Sequence, residues 1–247
     1  MEKFKQVTAL KQELDHYRPL PPEVVKNLRE IYQVEWTYNS NAIEGNTLTL
    51  LETKLVLEEG ITIGGKQLRE HLEAINHKEA IEFVEELVAK EEPLTEVILK
   101  QIHYLILKNI DQPNAGTYRK VNVGISGSEH RPPHFLAVAD EIRELFHWYD
   151  ENKKRLHPVE LAAMFHFRFV FIHPFADGNG RTARLLMNLI LMKHGYPPAI
   201  VKAEPMRRIE YYETLELASI KNEVEPFIDV IMTCVEESLT RYLQAIR

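Results

Sequence analysis

From Pro22 onward the chain places apolar side chains at the three- and four-residue spacing of a helix. Val24, Val25, Leu28, Ile31, Tyr32, Val34 and Trp36 run towards Gly45, with prolines near the start of the run and a glycine at its end. The same spacing predicts helices over 49–59, 67–90, 94–109, 138–153, 158–171, 180–194, 207–221 and 224–245. Proline and glycine punctuate them: Pro93 precedes one, Pro158 opens another, and Gly195 closes the helix that starts at Gly180. One stretch departs from the pattern. Residues 116–128 alternate apolar and polar positions and break at Pro132-Pro133, which predicts a short β-hairpin. The expected fold is an all-α helical bundle carrying one small β-hairpin, with no repeat, low-complexity tract or flexible linker.

Composition narrows the partners. Hydrophobic residues at 45% suffice for a packed core. The net charge of −7 argues against nucleic acid, whose phosphates demand a basic face. The single cysteine, Cys234, has no partner for an internal disulfide and sits in the apolar run 227–235, where a small buried hydrophobe is expected. The first residues lack an apolar core of signal-peptide length. The longest apolar stretch, around Leu185 to Met192, is too short to span a bilayer. A reduced, cytoplasmic setting with no membrane partner is expected.

The chemistry concentrates between two helices. The apolar run Phe165 to Ile172 ends abruptly in His173-Pro174, and the next helix is under way by Leu185. Gly178, Asn179 and Gly180 between them supply backbone amides at a helix N-terminus, where unpaired N–H groups and the helix dipole favour an anion such as phosphate. Arg181 and Arg184, three apart in the first turn, lie on one face and oppose the dipole unless an anion is bound. Asp177 is a hard oxygen donor placed to hold Mg²⁺ against bound phosphates. His173 has the free pKa of a general base at neutral pH, suited to take the proton from an incoming hydroxyl. Each of these residues taken singly reads as an ordinary turn or core position. The set reads as phosphoryl-transfer machinery.

The run His173-Pro-Phe-Ala-Asp-Gly-Asn-Gly-Arg-Thr-Ala-Arg184 matches every defined position of the Fic motif, His-Pro-Phe-x-Asp/Glu-Gly-Asn-Gly-Arg-x-x-Arg. Beyond the loop, the chain from about Ser40 to Leu243 resembles the catalytic domain of the animal endoplasmic-reticulum Fic enzymes. The matching stretches include 43–50, Leu185-Leu186-Met187-Asn188, Gly195-Tyr196-Pro197-Pro198 and Tyr211-Tyr212. Their membrane anchor and helical-repeat region have no counterpart here, which suggests a free-standing protein.

The resemblance implies a Fic-type helical core and a protein adenylyltransferase that uses ATP and Mg²⁺ to place AMP on a hydroxyl of a target protein, with self-modification and a homodimer as further expectations. It implies His173 as base, Asp177 for the metal, and Gly178, Asn179, Gly180, Arg181 and Arg184 for the phosphates. Tyr211, Tyr212 and Leu215 are expected at the nucleotide, the latter two walling the adenine. Ser219 stands where the animal enzymes have an asparagine. The hairpin tip, Gly127, Ser128, Glu129 and His130, resembles the target-docking flap of the family.

Ser40-Asn41-Ala42-Ile43-Glu44-Gly45 resembles the family's inhibitory pattern, Ser/Thr-x-x-x-Glu-Gly/Asn. Glu44 is then expected to pair with Arg184 in competition with the γ-phosphate, with Ser40 one turn earlier fixing the end that presents the carboxylate. In relatives the same glutamate also supports removal of AMP. Residues 1–50 are accordingly expected to form a regulatory N-terminal segment and 51–247 the catalytic core. Gly178 is expected to leave room for the outer phosphates, which favours AMP transfer over the kinase, UMP or phosphocholine chemistries known in the family. Two other classes compete. Gly60 to Gln67 imitates a phosphate loop but has Gln67 where a Ser or Thr must hold Mg²⁺. A nucleotide-dependent interaction module without catalysis is the other, and the intact His173 and Asp177 speak against it.

Overall fold

The computed structural model describes residues 3–247. Among them, α1 (Lys5–His16), α2 (Pro22–Ile43), α3 (Leu50–Glu59), α4 (Leu68–Ala89), α5 (Glu96–Leu107), α6 (Val138–Asn152), α7 (Pro158–Ile172), α8 (Asn179–Lys193), α9 (Pro205–Lys221) and α10 (Glu225–Ile246) account for nearly all regular structure, with one 3₁₀ turn at Phe135–Ala137. The expected helices from α2 to α10 appear within two residues of their sequence-derived ends. Local chemistry sets several of those ends. Thr49 and Glu52 close a capping box on α3, Thr95 caps α5, and Gly60 ends α3 in the left-handed conformation. The α1 helix was not foreseen, although Val7 and Leu14 lie two turns apart and are both fully buried.

At the centre lies α8, packed along α7 and flanked by α4 and α5, while α10 closes the bundle against α7, α9, α1 and α2. A central helix is buried all round, and residues 181–191 of α8 are all buried, the apolar ones from Leu185 to Leu191 interrupted only by Asn188. Several of its polar side chains find partners inside the bundle, although Thr182 Oγ1 and Arg181 Nε are buried without one. Asn188, for example, exchanges both amide hydrogen bonds with the backbone of Ala199, at 2.9 and 2.7 Å. Side chains of α1 and α2, including Val7, Leu28, Trp36 and Ile43, belong to the same core cluster as those of α7, α8 and α10. Cys234 is buried, as expected. No helix among the described residues is long and apolar enough to cross a membrane.

The β-hairpin is not present. Residues 116–134 form an ordered loop with no strand in it. The alternation arises because its polar groups are anchored to the bundle and not to a second strand. The Arg119 amide bonds the Pro174 carbonyl at 2.9 Å, the Glu129 amide bonds Glu216 at 2.7 Å, and the Phe135 amide bonds the Asn122 side chain at 2.9 Å. Such side-chain and tertiary partners satisfy the backbone without a ladder.

Candidate active site

The α7 helix ends at His173, which adopts left-handed backbone angles (φ 51°, ψ 59°) while its N–H still bonds Phe169. The following Pro174 disfavours a further helical residue, and the left-handed turn swings the imidazole out of the α7 axis. A non-glycine residue held there marks a position over-determined by its surroundings. Nδ1 of His173 is buried without a hydrogen bond of good geometry, whereas Nε2 is neither bonded nor enclosed. Burial pushes the ring below its ordinary pKa, and the Arg119 charge adds to this. The nearby Val170 carbonyl and Glu44 act the other way.

The turn that follows is rigid. The Asn179 side chain bonds the amide and carbonyl of Phe175 at 3.0 and 2.9 Å. His103 of α5, which the sequence reading did not single out, stacks on Phe175 with ring centroids 3.5 Å apart. It accepts from the Gly116 amide at Nδ1 and therefore donates from Nε2 to the Asp177 carbonyl, at 2.9 Å each. Burial pushes His103 down to about pKa 4, which keeps it neutral. A Cβ on Gly178 would approach Ile106 and His103 within 3.2–3.3 Å, and its φ is +77°. Gly178 is thus required by the packing of the turn, which corrects the expectation that it makes room for the outer phosphates. At Gly180, by contrast, a Cβ would strike the Glu44 carboxylate and come within 3.1 Å of the Arg184 guanidinium.

Both arginines of the first turn are buried and paired. Arg184 donates to Glu44 Oε1 at 2.7 Å, to the Ser40 carbonyl at 2.8 Å, to Ser40 Oγ at 3.0 Å and to the Tyr211 hydroxyl at 3.3 Å. Burial alone would lower the pKa of this guanidinium, but Tyr211 and Glu44 hold it well above the ordinary value. Ser40 therefore orients the arginine itself and not the end of α2 that presents Glu44. Tyr211, expected at the nucleotide, is fully buried between Arg184 and His166 Nε2 (3.0 Å), so it supports the arginine. Tyr212 is the exposed member of the pair, and its hydroxyl bonds the Ile43 carbonyl at the end of α2 (3.1 Å). Leu215 is half-buried one turn farther along α9.

Arg181 joins a network that the sequence did not disclose. It meets Glu73 of α4 and Asp177, each at 3.3 Å, and Arg69 bridges the same two carboxylates at 3.1 and 2.7 Å. Burial would raise the Asp177 carboxyl, but Arg181, the Gly178 amide and Arg69 together hold it below its ordinary pKa, and it stays ionised. One ionised, half-exposed carboxylate is the donor set of a Mg²⁺ ion that arrives with phosphates and keeps its waters, so the residues present fit that metal. Arg69, itself more than half exposed, now lies against the oxygen such an ion would use.

The loop tip at Gly127 to His130 lies beside this site. The Ser128 hydroxyl and the Glu129 amide bond the Glu216 carboxylate of α9, and the His130 ring packs on Phe171 and bonds its carbonyl at 2.8 Å. The phosphate-loop imitation at Gly60 to Gln67 does not converge with it. Lys66 is bonded to Thr47, and Gln67 caps α4.

The family model described as the Fic/DOC family matches residues 93–191, which include the whole loop from His173 to Arg184. A protein adenylyltransferase Fic of Nematostella vectensis is 38% identical over 218 residues, covering 87% of this chain and 50% of that protein. The chain spans about half the length of the curated relatives it matches. Among solved structures, a Fic domain containing signaling protein from Bacteroides thetaiotaomicron superposes with a TM-score of 0.89 at 31% identity, covering 98% of this chain and 97% of that one. Fic-1 (residues 134–508) from Caenorhabditis elegans gives 0.87 at 34%, covering 98% and 72%.

Proposed function

The chain belongs to the Fic/DOC family, and we propose that it is an adenylyltransferase that moves AMP from ATP to a hydroxyl side chain of a target protein. One observation carries the reading. A protein carboxylate, Glu44, already sits on Arg184 over the first turn of α8, in the space left by the missing side chain of Gly180. The molecule thus supplies an internal anion to a built anion site, and the γ-phosphate of ATP is the ligand it stands in for.

In this mechanism the α8 amides and Arg181 hold the inner phosphates. His173 takes the proton as the acceptor oxygen bonds to the α-phosphorus and the bond to the β-phosphate oxygen breaks, releasing pyrophosphate. Mg²⁺, held by Asp177, supplies charge neutralisation on the phosphates when bound. Tyr212 and Leu215 border the adenine, and the loop around Gly127 to His130 receives an extended segment of the target. The segment 1–50 serves as the regulatory part and 51–247 as the catalytic part. The protein modifies itself as well as its target, forms a homodimer and works in the cytoplasm. The name carried by the Nematostella relative supports the activity.

Intact-mass measurement after incubation with ATP and Mg²⁺ tests the reading. An adduct of one AMP moiety is expected, and an adduct of phosphate alone would contradict it. Asp177→Asn keeps an oxygen for the Gly178 amide but removes the charge. It is expected to raise the Mg²⁺ concentration for half-maximal transfer by about tenfold or more, because even indirect partners of a metal cost that much. Superimposable Mg²⁺ titrations for the two proteins would remove Asp177 from the metal site.

The depressed pKa of His173 sets a pH dependence. The base acts unprotonated, so activity is present above its pKa and is lost as pH falls through it. The acidic limb of kcat/KM is therefore expected below pH 6.5, the ordinary histidine value. A limb at or above that value would contradict the burial argument.

A further inference from the structure

Arg119 is 3% exposed, and no carboxylate among the described residues lies within ion-pair distance of it. A buried guanidinium without an acid is costly, and this one is held only by carbonyl oxygens. Nε donates to His173 at 2.9 Å, one terminal nitrogen to Val121 at 3.0 Å and the other to Pro133 at 2.5 Å. Its own amide donates to Pro174 at 2.9 Å. Val121 and Pro133 are the two ends of the loop whose tip carries Gly127 to His130. The planar fork of an arginine fixes the directions of all these bonds at once, which a lysine cannot do.

Resting on the adenylyltransferase reading, we propose that Arg119 is the positioning residue that locks the catalytic base and the target-docking loop into one rigid unit, so that the acceptor segment and His173 keep a common register. One guanidinium closes the neck of the loop between Val121 and Pro133 and clamps the carbonyl of His173 itself. The tip is fastened separately, by His130 to the Phe171 carbonyl and by Glu216 to Ser128 and Glu129. Arg119 is therefore the only one of these ties that reaches the backbone of His173. The charged and titratable groups that act on the imidazole are Arg119, Glu44 and His130.

Three variants of position 119 separate this role from a general contribution to folding. Arg119→Lys keeps the charge and loses the fork. It is expected to lower kcat for target modification by roughly 10²-fold, the effect of displacing a reacting group by about an ångström, with ATP affinity retained. Arg119→Gln and Arg119→Ala are expected to lower kcat similarly and, having lost a nearby positive charge, to raise the pKa of the His173 ring read by NMR titration. Arg119→Lys leaves that pKa where it is.

Amide hydrogen exchange supplies a readout that does not depend on activity. In the unmodified protein the amides of Arg119, Phe135 and His173 are expected to share one opening reaction as denaturant is raised, and Arg119→Lys separates them. Independent opening of the loop and His173 in the unmodified protein would overturn the proposal, as would full kcat in Arg119→Lys. Failure of the adenylyltransferase reading would show itself differently, as absence of AMP transfer in the unmodified protein with the shared opening and the His173 pKa response intact.

Discussion

Replacement of His173 by alanine is expected to lower AMP transfer by about 10²–10⁴-fold while leaving ATP affinity nearly unchanged. The argument rests on where the imidazole is fastened. His173 closes α7, whereas the amides and arginines proposed to hold the phosphates belong to α8, beyond a turn braced by Asn179 and His103. The left-handed backbone at His173 places no demand on its side chain that alanine would relieve, so the turn survives the change. Nδ1 is enclosed, and the free nitrogen is Nε2, the one that an incoming hydroxyl can reach. A group that touches the acceptor and not the nucleotide lowers kcat without weakening ATP binding. Nucleotide binding followed by calorimetry, together with single-turnover transfer, separates the two quantities. Loss of ATP affinity in parallel with rate would mean that His173 holds the nucleotide and is not the base.

The second large effect has the opposite sign. Glu44→Gly is expected to raise transfer roughly ten- to a hundred-fold, because it frees Arg184 for the γ-phosphate. A charge-assisted hydrogen bond is worth about 1.5–3 kcal/mol, which converts to about that range in an equilibrium constant. The lower part of the range is the better expectation, since the Glu44 side chain is one-third exposed and water screens the pair. Arg184 is not left loose by the change. Ser40 still accepts from it through both its carbonyl and its hydroxyl, and Tyr211, braced by His166, still supports it. The arginine is therefore preorganised to receive an anion. Adding Arg184→Ala to Glu44→Gly is expected to remove most of the gain, and this non-additivity is the mark of one shared contact. Equal self-labelling of the parent and Glu44→Gly would reduce Ser40 to Gly45 to the end of a helix.

The residues proposed to meet the nucleotide and the acceptor stand out in the sequence because they are consecutive. His173 to Arg184 form one turn and the first helical turn after it, and the periodicity on either side places that turn between two helices. The helices themselves were legible for a similar reason, as each carries its own stripe and its own stops. What the chain could not disclose is which distant side chains complete the site. Glu73 and Arg69 reach Asp177 and Arg181 from α4, and His103 reaches the turn from α5, across more than seventy residues of sequence in each case. Their local patterns are those of ordinary helix faces. His166 lies inside the apolar run of α7, and its link to Arg184 through Tyr211 depends on the crossing of α7 and α9.

The misread hairpin has the same origin. Alternation along 116–128 satisfied the rule for a strand, but the buried Arg119 and the anchors on Glu216 and Phe171 hold a loop. A polar alternation with an arginine at its start and two prolines at its end is equally the signature of a loop pinned at its neck. The glycines teach a further point. Gly178 and Gly180 look equivalent on either side of Asn179, yet one is required by packing against His103 and the other by the anion over α8.

Parallel incubation of the Glu44→Gly protein with ATP labelled at the α-phosphate or at the γ-phosphate tests the central claim most directly. The account predicts label on protein from the α position alone, abolished by the additional change His173→Ala. Label from the γ position, or α label that survives the loss of His173, would contradict it.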